Sequence, residues 1–167
     1  MQGDFTKAQE YSLKMLQSAE SANNIFEQAN SLTMISQLLN QVGQADKGII
    51  YTRKTVALIN KLTDVNQRLE ILFKVSKRYL WHFQDTKTQS SLDSSALFSL
   101  AQISIARKIN NRASMAKAYN NLQGVEWEKG NLKKALQYLD SSFAFTDKDN
   151  YADLRINYFD KSDILLE

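Results

Sequence analysis

The fold is decided by the stretch from Ala118 to Leu139, which reads AYNNLQGVEWEKGNLKKALQYL. Apolar residues recur at helical spacing on both sides of Gly130, as Tyr119 and Leu122 do before it. A spacing of three or four residues is typical of one face of an α-helix. A glycine between two such runs is typical of a left-handed helix ending. The stretch therefore predicts two helices joined by a tight turn.

The same turn recurs along the chain. Gly3, Gly43 and Gly130 are each followed by a small residue at the fifth position and by a tyrosine at the eighth. The first two glycines are 40 residues apart and the last two are 87 apart, seven more than two periods of 40. A period of this length is typical of stacked helical units. The spacing predicts a hidden copy with a seven-residue insertion between its helices, which we place in the polar run from Gln84 to Ser94.

With the insertion placed there, the columns of the repeat keep their chemistry. One helix has the columns Ala8, Gly48, Ser95, Ala135 (small), Tyr11, Tyr51, Phe98, Tyr138 (aromatic) and Leu16, Val56, Ile103, Phe143 (apolar). The other has the apolar columns Ala29, Leu69, Ala116, Ile156, then Leu32, Leu72, Tyr119, Phe159, then Ile35, Val75, Leu122. The second set follows the i, i+3, i+7 spacing of a helix face. Each unit is therefore predicted to contain an A helix that enters the glycine turn and a B helix that leaves it.

The predicted fold is all-α, with about eight helices in antiparallel pairs and a single domain over residues 1–167. The predicted helices span residues 4–22, 25–42, 45–62, 65–83, 92–109, 112–129, 132–147 and 151–166. The units span about residues 1–24, 25–64, 65–111 and 112–150, with a final helix at 151–167. Polar pairs such as Asn23-Asn24, Thr63-Asp64 and Asn110-Asn111 are predicted to end one helix and cap the next, because their side chains accept hydrogen bonds from free backbone donors. Since the chain begins and ends within A helices in this frame, we expect it to be part of a longer array.

The stretch from Ala118 to Leu139 strongly resembles the tetratricopeptide repeat signature. It has a leucine in helix A, a Gly-Asn turn, and an alanine and aromatics in helix B. The resemblance covers essentially the whole chain at 40 residues per unit, like longer-helix arrays in bacterial signalling proteins such as kinases and transcription regulators. It implies a right-handed α-solenoid whose A helices line a concave groove. The chain departs from the family at several positions: Gln123 and Asp163 stand where a small residue is usual, Glu126 stands where a large apolar residue is usual, and the proline that often closes a unit is missing.

Composition limits the other classes of protein. The 167 residues are 43% hydrophobic and 23% charged, with no proline and five glycines, which favours a folded helical chain over a disordered one. No cysteine is present, so disulfides and thiolate metal sites are excluded. The chain contains no run of eighteen apolar residues, which is about the length needed to cross a membrane. The net charge is +3, and the lysines and arginines are spread along the chain without a dense basic run, so we expect no nucleic-acid partner.

Candidates for chemistry are few. The chain has one histidine, His82, and no cysteine, so we expect neither a metal site nor a bound cofactor. A histidine packed at a helix end is the simpler interpretation of His82, and we assign no catalytic residues. Glu126 and Glu128 flank Trp127, and charged residues on a helix are usually its solvated face.

The resemblance implies a partner-binding groove along the A helices, whose positions can be read unit by unit. The wider set is Asn30, Thr33, Gln37, Asn40, Gln41, Glu70, Phe73, Lys77, Leu80, Trp81, Lys117, Asn120, Gly124, Trp127 and Glu128. From it we select Gln37, Asn40, Phe73, Lys77, Trp81, Lys117, Asn120 and Trp127 as the candidate site. Amides can hydrogen-bond an extended backbone, and tryptophan gives a large anchoring area. Packing between helices is the alternative role for both tryptophans.

Some family members grip the terminal carboxylate of chaperone tails with a fixed set of lysine, asparagine and arginine. The corresponding positions resemble Thr33, Gln37, Lys74, Lys117 and Asn121. Only one of the five matches, so we do not expect that specialised function.

These features predict a protein–protein interaction scaffold that binds a protein or peptide, as the sensing or docking region of a larger bacterial regulator, and not an enzyme. The alternative is a small-molecule sensor or an enzyme that uses the hollow of the solenoid as a pocket. An RNA-binding repeat is less favoured because the groove is not predominantly basic. The first helix has no obvious cap, so a homodimer through that end stays open, as does the compartment.

Overall fold

The computed structural model describes residues 2–150 and Lys161, and this part of the chain forms seven α-helices and no strand. They are α1 (Gln2–Ser21), α2 (Ile25–Gln41), α3 (Ala45–Ile59), α4 (Val65–Thr86), α5 (Gln89–Lys108), α6 (Arg112–Glu128) and α7 (Leu132–Phe145). Each helix packs against the next, and α4 also packs against α2 and α6. The all-α class is confirmed, with seven helices instead of about eight. The eighth predicted helix, over residues 151–166, lies outside the described residues except for Lys161.

The helix ends follow from residues that tolerate a left-handed backbone. Gly43 and Gly130 end α2 and α6 with φ of 72° and 74°. Asn23 and Asn110 follow α1 and α5 with φ of 51° and 54°. Glycine has no Cβ to clash in this region, and asparagine is the side chain that tolerates it best. The predicted turns at Gly43 and Gly130 and the helix-ending role of these two asparagines are confirmed, whereas Gly3, where a third turn was predicted, lies within α1.

Three helices, α2, α4 and α6, begin with a side-chain cap. Asn24, Asp64 and Asn111 each use Oδ1 to accept a hydrogen bond from the backbone N–H three residues later, at 3.1, 2.8 and 3.0 Å. Such caps satisfy one of the free donors in the first turn of a helix and contribute about 1 kcal/mol each. The predicted N-caps of α2, α4 and α6 are therefore confirmed.

The predicted apolar columns of the A helices form the core. Ala29, Leu69, Ala116, Leu32, Leu72, Ile35, Val75 and Leu122 are all buried. Where the A and B helices approach most closely, the small column is required. A Cβ on Gly48 would lie 2.3 Å from Oδ1 of Asn40, and Ser95 and Ala135 are fully buried at the same position of their units. The aromatic column packs beside it except at Tyr11, which is 66% exposed.

The predicted insertion takes a different form. No inserted loop is present between α4 and α5, because α4 continues to Thr86 and α5 begins at Gln89. The extra residues instead lengthen each helix by about one turn. Two residues, Lys87 and Thr88, connect the helices, and Lys87 takes the left-handed conformation that glycine takes elsewhere, with φ of 54°. The predicted ends at residues 83 and 92 each lie three residues short of the observed ends, because polar residues with no helix-breaking glycine or proline allow both helices to continue.

Candidate functional site

Four of the eight predicted site residues meet on the A helices. Phe73, Lys77 and Trp81 are spaced four residues apart along α4, so they share one face of the helix. The Lys77 Nζ lies 5.8 Å from the centre of the Phe73 ring and 5.2 Å from that of Trp81. From α6, the Nζ of Lys117 lies 5.7 Å from the same Phe73 ring. We call Phe73, Lys77, Trp81 and Lys117 the aromatic–lysine cluster; both its rings are half-buried and Lys117 is exposed.

A depression of about 280 Å³ lies beside this cluster, where α2 meets α4. We call it the α2–α4 depression, and it is lined by Met15, Glu27, Asn30, Thr33, Met34, Gln37, Lys74 and Arg78. Three of these, Asn30, Thr33 and Gln37, belong to the groove set predicted from the resemblance. The structure thus places predicted groove residues of α2 in one concave feature, together with two cations of α4.

The two cations of the depression differ in their partners. Lys74 Nζ donates to Oδ1 of Asn30 at 2.7 Å and forms an ion pair with Oε1 of Glu70 at 2.6 Å. Arg78 is 6% exposed, and its Nη1 has no hydrogen-bond partner in the described part of the chain. The guanidinium carbon lies 3.8 Å from the centre of the Trp81 ring, so the cation stacks on the aromatic–lysine cluster. Burial lowers the pKa of Arg78 to about 10, which leaves it charged at neutral pH.

Arg78 was missed by the sequence analysis. One feature of the sequence could have indicated its burial. Ile71, Lys74 and Arg78 follow an i, i+3, i+7 spacing and so share a helix face, and Ile71 is fully buried in the structure. That face of α4 packs against α2. An arginine on a buried helix face without a nearby acid is uncommon, since charged side chains are rarely buried unless they are paired.

Two other predicted site residues, Asn40 and Trp127, pack against neighbouring helices. The Asn40 Oδ1 is buried against α3, beside Gly48, and has no hydrogen-bond partner among the described residues. Trp127 packs against a core of Ala135 and Leu139, on α7. Helix packing, the alternative considered for Trp127, is what these contacts support. Asn120 is half-buried on α6.

Glu126 and its neighbours form the best-connected charged group. Its side chain, 3% exposed, accepts hydrogen bonds from Lys129 Nζ at 3.1 Å and Asn131 Nδ2 at 3.0 Å, and Lys134 Nζ lies 3.5 Å away. Burial opposes ionisation of this carboxyl. The hydrogen bonds from Asn131 and Lys129 and the charges of Lys129 and Lys134 outweigh that effect, so the pKa of Glu126 lies below its usual value. The carboxylate fixes the α6–α7 turn at a position where an apolar residue was expected.

No protein-family model matches the chain, and no curated protein matches it significantly. No helix in the described part of the chain is long and apolar enough to cross a membrane. Within residues 2–150 and Lys161, no group of three or more histidine, aspartate or glutamate side chains could hold a metal ion.

His82 takes part in a chain of contacts that the sequence did not predict. The Nδ1 atom lies 2.8 Å from Oγ of Ser91, and Nε2 lies 3.3 Å from Oδ1 of Asp46. The order Asp-His-Ser is that of hydrolytic triads, but a nucleophile must reach its substrate. Ser91 and His82 are each 3% exposed, so this serine is not placed to attack one. The contacts instead join α3, α4 and α5 where the last two are lengthened, and His82 is packed near a helix end as predicted.

Proposed function

We propose that the chain is a protein-interaction module that holds an extended segment of a partner along its A helices. The observation that carries the proposal is the continuity of two features. The aromatic–lysine cluster joins α4 to α6, and the α2–α4 depression joins α4 to α2. The stack of Arg78 on Trp81 links them, so one surface extends over three successive A helices.

The chemistry of this surface suits a peptide. Trp81 and Phe73 are half-buried, so each already has a fixed position and still offers part of its ring to a ligand. Rigid aromatic side chains of this kind supply most of the binding energy at many interfaces. Asn30 and Gln37 in the depression carry amides, which can both donate to and accept from an extended backbone.

The resemblance to tetratricopeptide repeats supports the same function. In that family the A helices line the inner groove of a right-handed solenoid, and we propose that arrangement here. The role expected for such an array is the sensing or docking region of a larger bacterial regulator. An enzymatic role has little support, because His82 and Ser91 are buried and the Glu126 carboxylate is occupied by Lys129, Asn131 and Lys134.

The test is selection of binders from a displayed library of random peptides, followed by measurement of affinity for alanine variants. Phe73→Ala and Trp81→Ala should each weaken the selected peptides by about 2 kcal/mol, roughly thirtyfold in dissociation constant. The matched control is Leu97→Ala, which removes an exposed apolar side chain from the B helix α5. Unchanged affinity in both aromatic variants, or an equal loss in the control, would show that the peptide binds elsewhere.

A further inference from the structure

Arg78 is a buried cation whose charge the described part of the protein does not balance. It forms no ion pair with any described residue, and its Nη1 donors have no acceptor. Leaving a buried charge or donor without a partner is costly. Stacking on Trp81 offsets part of this cost, since a cation over an indole gains about 0.5–2 kcal/mol. The Trp81 ring faces the guanidinium, however, so it offers no acceptor to the N–H groups, which point outward in the plane of the guanidinium.

The other charges of the α2–α4 depression do not serve Arg78. Lys74 repels it, and Glu70, which does not line the depression, is paired with Lys74 at 2.6 Å. Glu27 lines the depression in the first turn of α2, but it is not within ion-pair distance of Arg78. The depression therefore lacks a negatively charged acceptor that pairs with Arg78.

We propose that Arg78 is an anion-binding residue and that the α2–α4 depression receives a carboxylate of the partner segment. This proposal rests on the proposed function and names the chemistry of the partner, an acidic peptide. A planar guanidinium matches a carboxylate with two parallel hydrogen bonds. Three of the five positions that resemble the carboxylate-gripping set, Thr33, Gln37 and Lys74, line this depression, but Arg78 is not one of the five. Its assignment rests on its own burial and on its missing acceptor.

The rim of the depression suits apolar residues beside the acidic one. Met15 and Met34 line it and are 44% and 45% exposed. Methionine is unbranched and flexible, so these side chains can repack around a ligand and admit it to the buried guanidinium. Thr33 and Gln37 add a hydroxyl and an amide to the wall of the depression. The partner segment is therefore expected to carry a carboxylate with an apolar neighbour.

The experiment uses acetate as the simplest carboxylate and follows the indole N–H signals of the two tryptophans by NMR. Trp127→Phe assigns the signal of Trp81, which stacks on Arg78. Sodium acetate replaces sodium chloride at constant ionic strength and pH 7. The Trp81 signal should shift saturably, with a dissociation constant in the millimolar range expected for so small a ligand. The shift should vanish in Arg78→Met and persist in Arg107→Met, which removes an exposed arginine of α5.

A second variant keeps the test informative if Arg78→Met does not fold. Arg78→Lys retains the charge but loses the two parallel donors, and it should weaken acetate binding at least severalfold. The proposal is overturned by an absence of saturation, by binding that persists in Arg78→Met, or by binding of inorganic phosphate without binding of acetate.

Three short peptides identify the source of the carboxylate. Acetyl-Leu-Glu-Leu-amide carries it on a side chain, acetyl-Leu-Gln-Leu carries it at the C-terminus, and acetyl-Leu-Gln-Leu-amide lacks it. Stronger binding of either acidic peptide than of the neutral one supports the proposal and names the source. Equal binding of all three overturns it. If acetate fails while Phe73→Ala still weakens selected peptides, only the carboxylate is wrong. If acetate binds and the alanine variants have no effect on peptides, the interaction module is wrong.

Discussion

Two buried charges, Glu126 and Arg78, show opposite ways of placing an ion inside a helical array. Glu126 is 3% exposed and has three partners, Lys129, Asn131 and Lys134, all within 3.5 Å. Arg78 is 6% exposed and has the Trp81 ring but no anion among the described residues. Both residues lie on surfaces at which one helix of the repeat packs against another. They differ in whether the folded chain already satisfies the charge.

The difference separates structure from function. A buried charge that is fully paired within the chain fixes a local geometry and has little left to offer a ligand. A buried charge without a partner is unfavourable in the free protein and gains most when a ligand supplies the missing group. The α6–α7 turn around Glu126 is therefore expected to be a structural element. The α2–α4 depression is expected to be a binding element, and the two should respond in opposite ways to substitution.

The largest effect is expected from reversing the charge at Glu126. Glu126→Lys would place three lysines together at a buried position, and we expect the free energy of unfolding to fall by about 3–5 kcal/mol. Urea denaturation followed by circular dichroism measures it. Glu126→Leu restores the apolar residue that Leu39 provides in an earlier unit, and it should cost no more than about 1 kcal/mol. If the two variants are equally unstable, packing and not charge is what Glu126 contributes.

A smaller effect is expected from pH. Because the pKa of Glu126 in the folded protein lies below its usual value, the ionised carboxylate stabilises the folded state more than the neutral carboxyl does. The stability that it contributes is therefore present above the ordinary carboxyl pKa and is lost as pH falls through the lowered one. The difference in unfolding free energy between wild type and Glu126→Gln should be largest near pH 7 and should shrink toward pH 3. A constant difference over that range would contradict the assignment.

Local rules were sufficient for the caps of α2, α4 and α6, for the glycine turns after α2 and α6, and for the core. Asn24, Asp64 and Asn111 cap helices, and Gly43 and Gly130 end them, because each effect depends on a few neighbouring residues. The buried columns follow from helical spacing alone.

Contacts between distant residues decided what the sequence did not predict. The run from Gln84 to Ser94 has no strong local preference between helix and loop. It became helix where α5 could place Ser91 against His82. Asn40 was assigned to the groove by its position in the repeat, but the close approach at Gly48 turns it toward α3. Such outcomes depend on how two helices cross, and spacing along one helix does not contain that information.

The same limit explains why the aromatic–lysine cluster was predicted and Arg78 was not. Phe73, Lys77 and Trp81 share a helix face, so their spacing alone predicts that they meet. The burial of Arg78 arises only when α2 packs against α4. The sequence could have indicated an unusual arginine beside Ile71, but it could not show that no acid among the described residues pairs with the guanidinium.

The smallest effect is expected from removing the charge at Arg78 in the free protein. Arg78→Met keeps an unbranched apolar side chain but removes the guanidinium, and with it both the buried cation that has no described partner and its stack on Trp81. Removing that unfavourable charge offsets the loss of the cation–π contact, so the free energy of unfolding should be unchanged or raised by up to about 1 kcal/mol. Thermal and urea unfolding without added carboxylates measure it, with Arg107→Met as the control for loss of an exposed arginine. A fall of 2 kcal/mol or more would mean that Arg78 stabilises the fold as Glu126 does, and the contrast between the two buried charges would disappear.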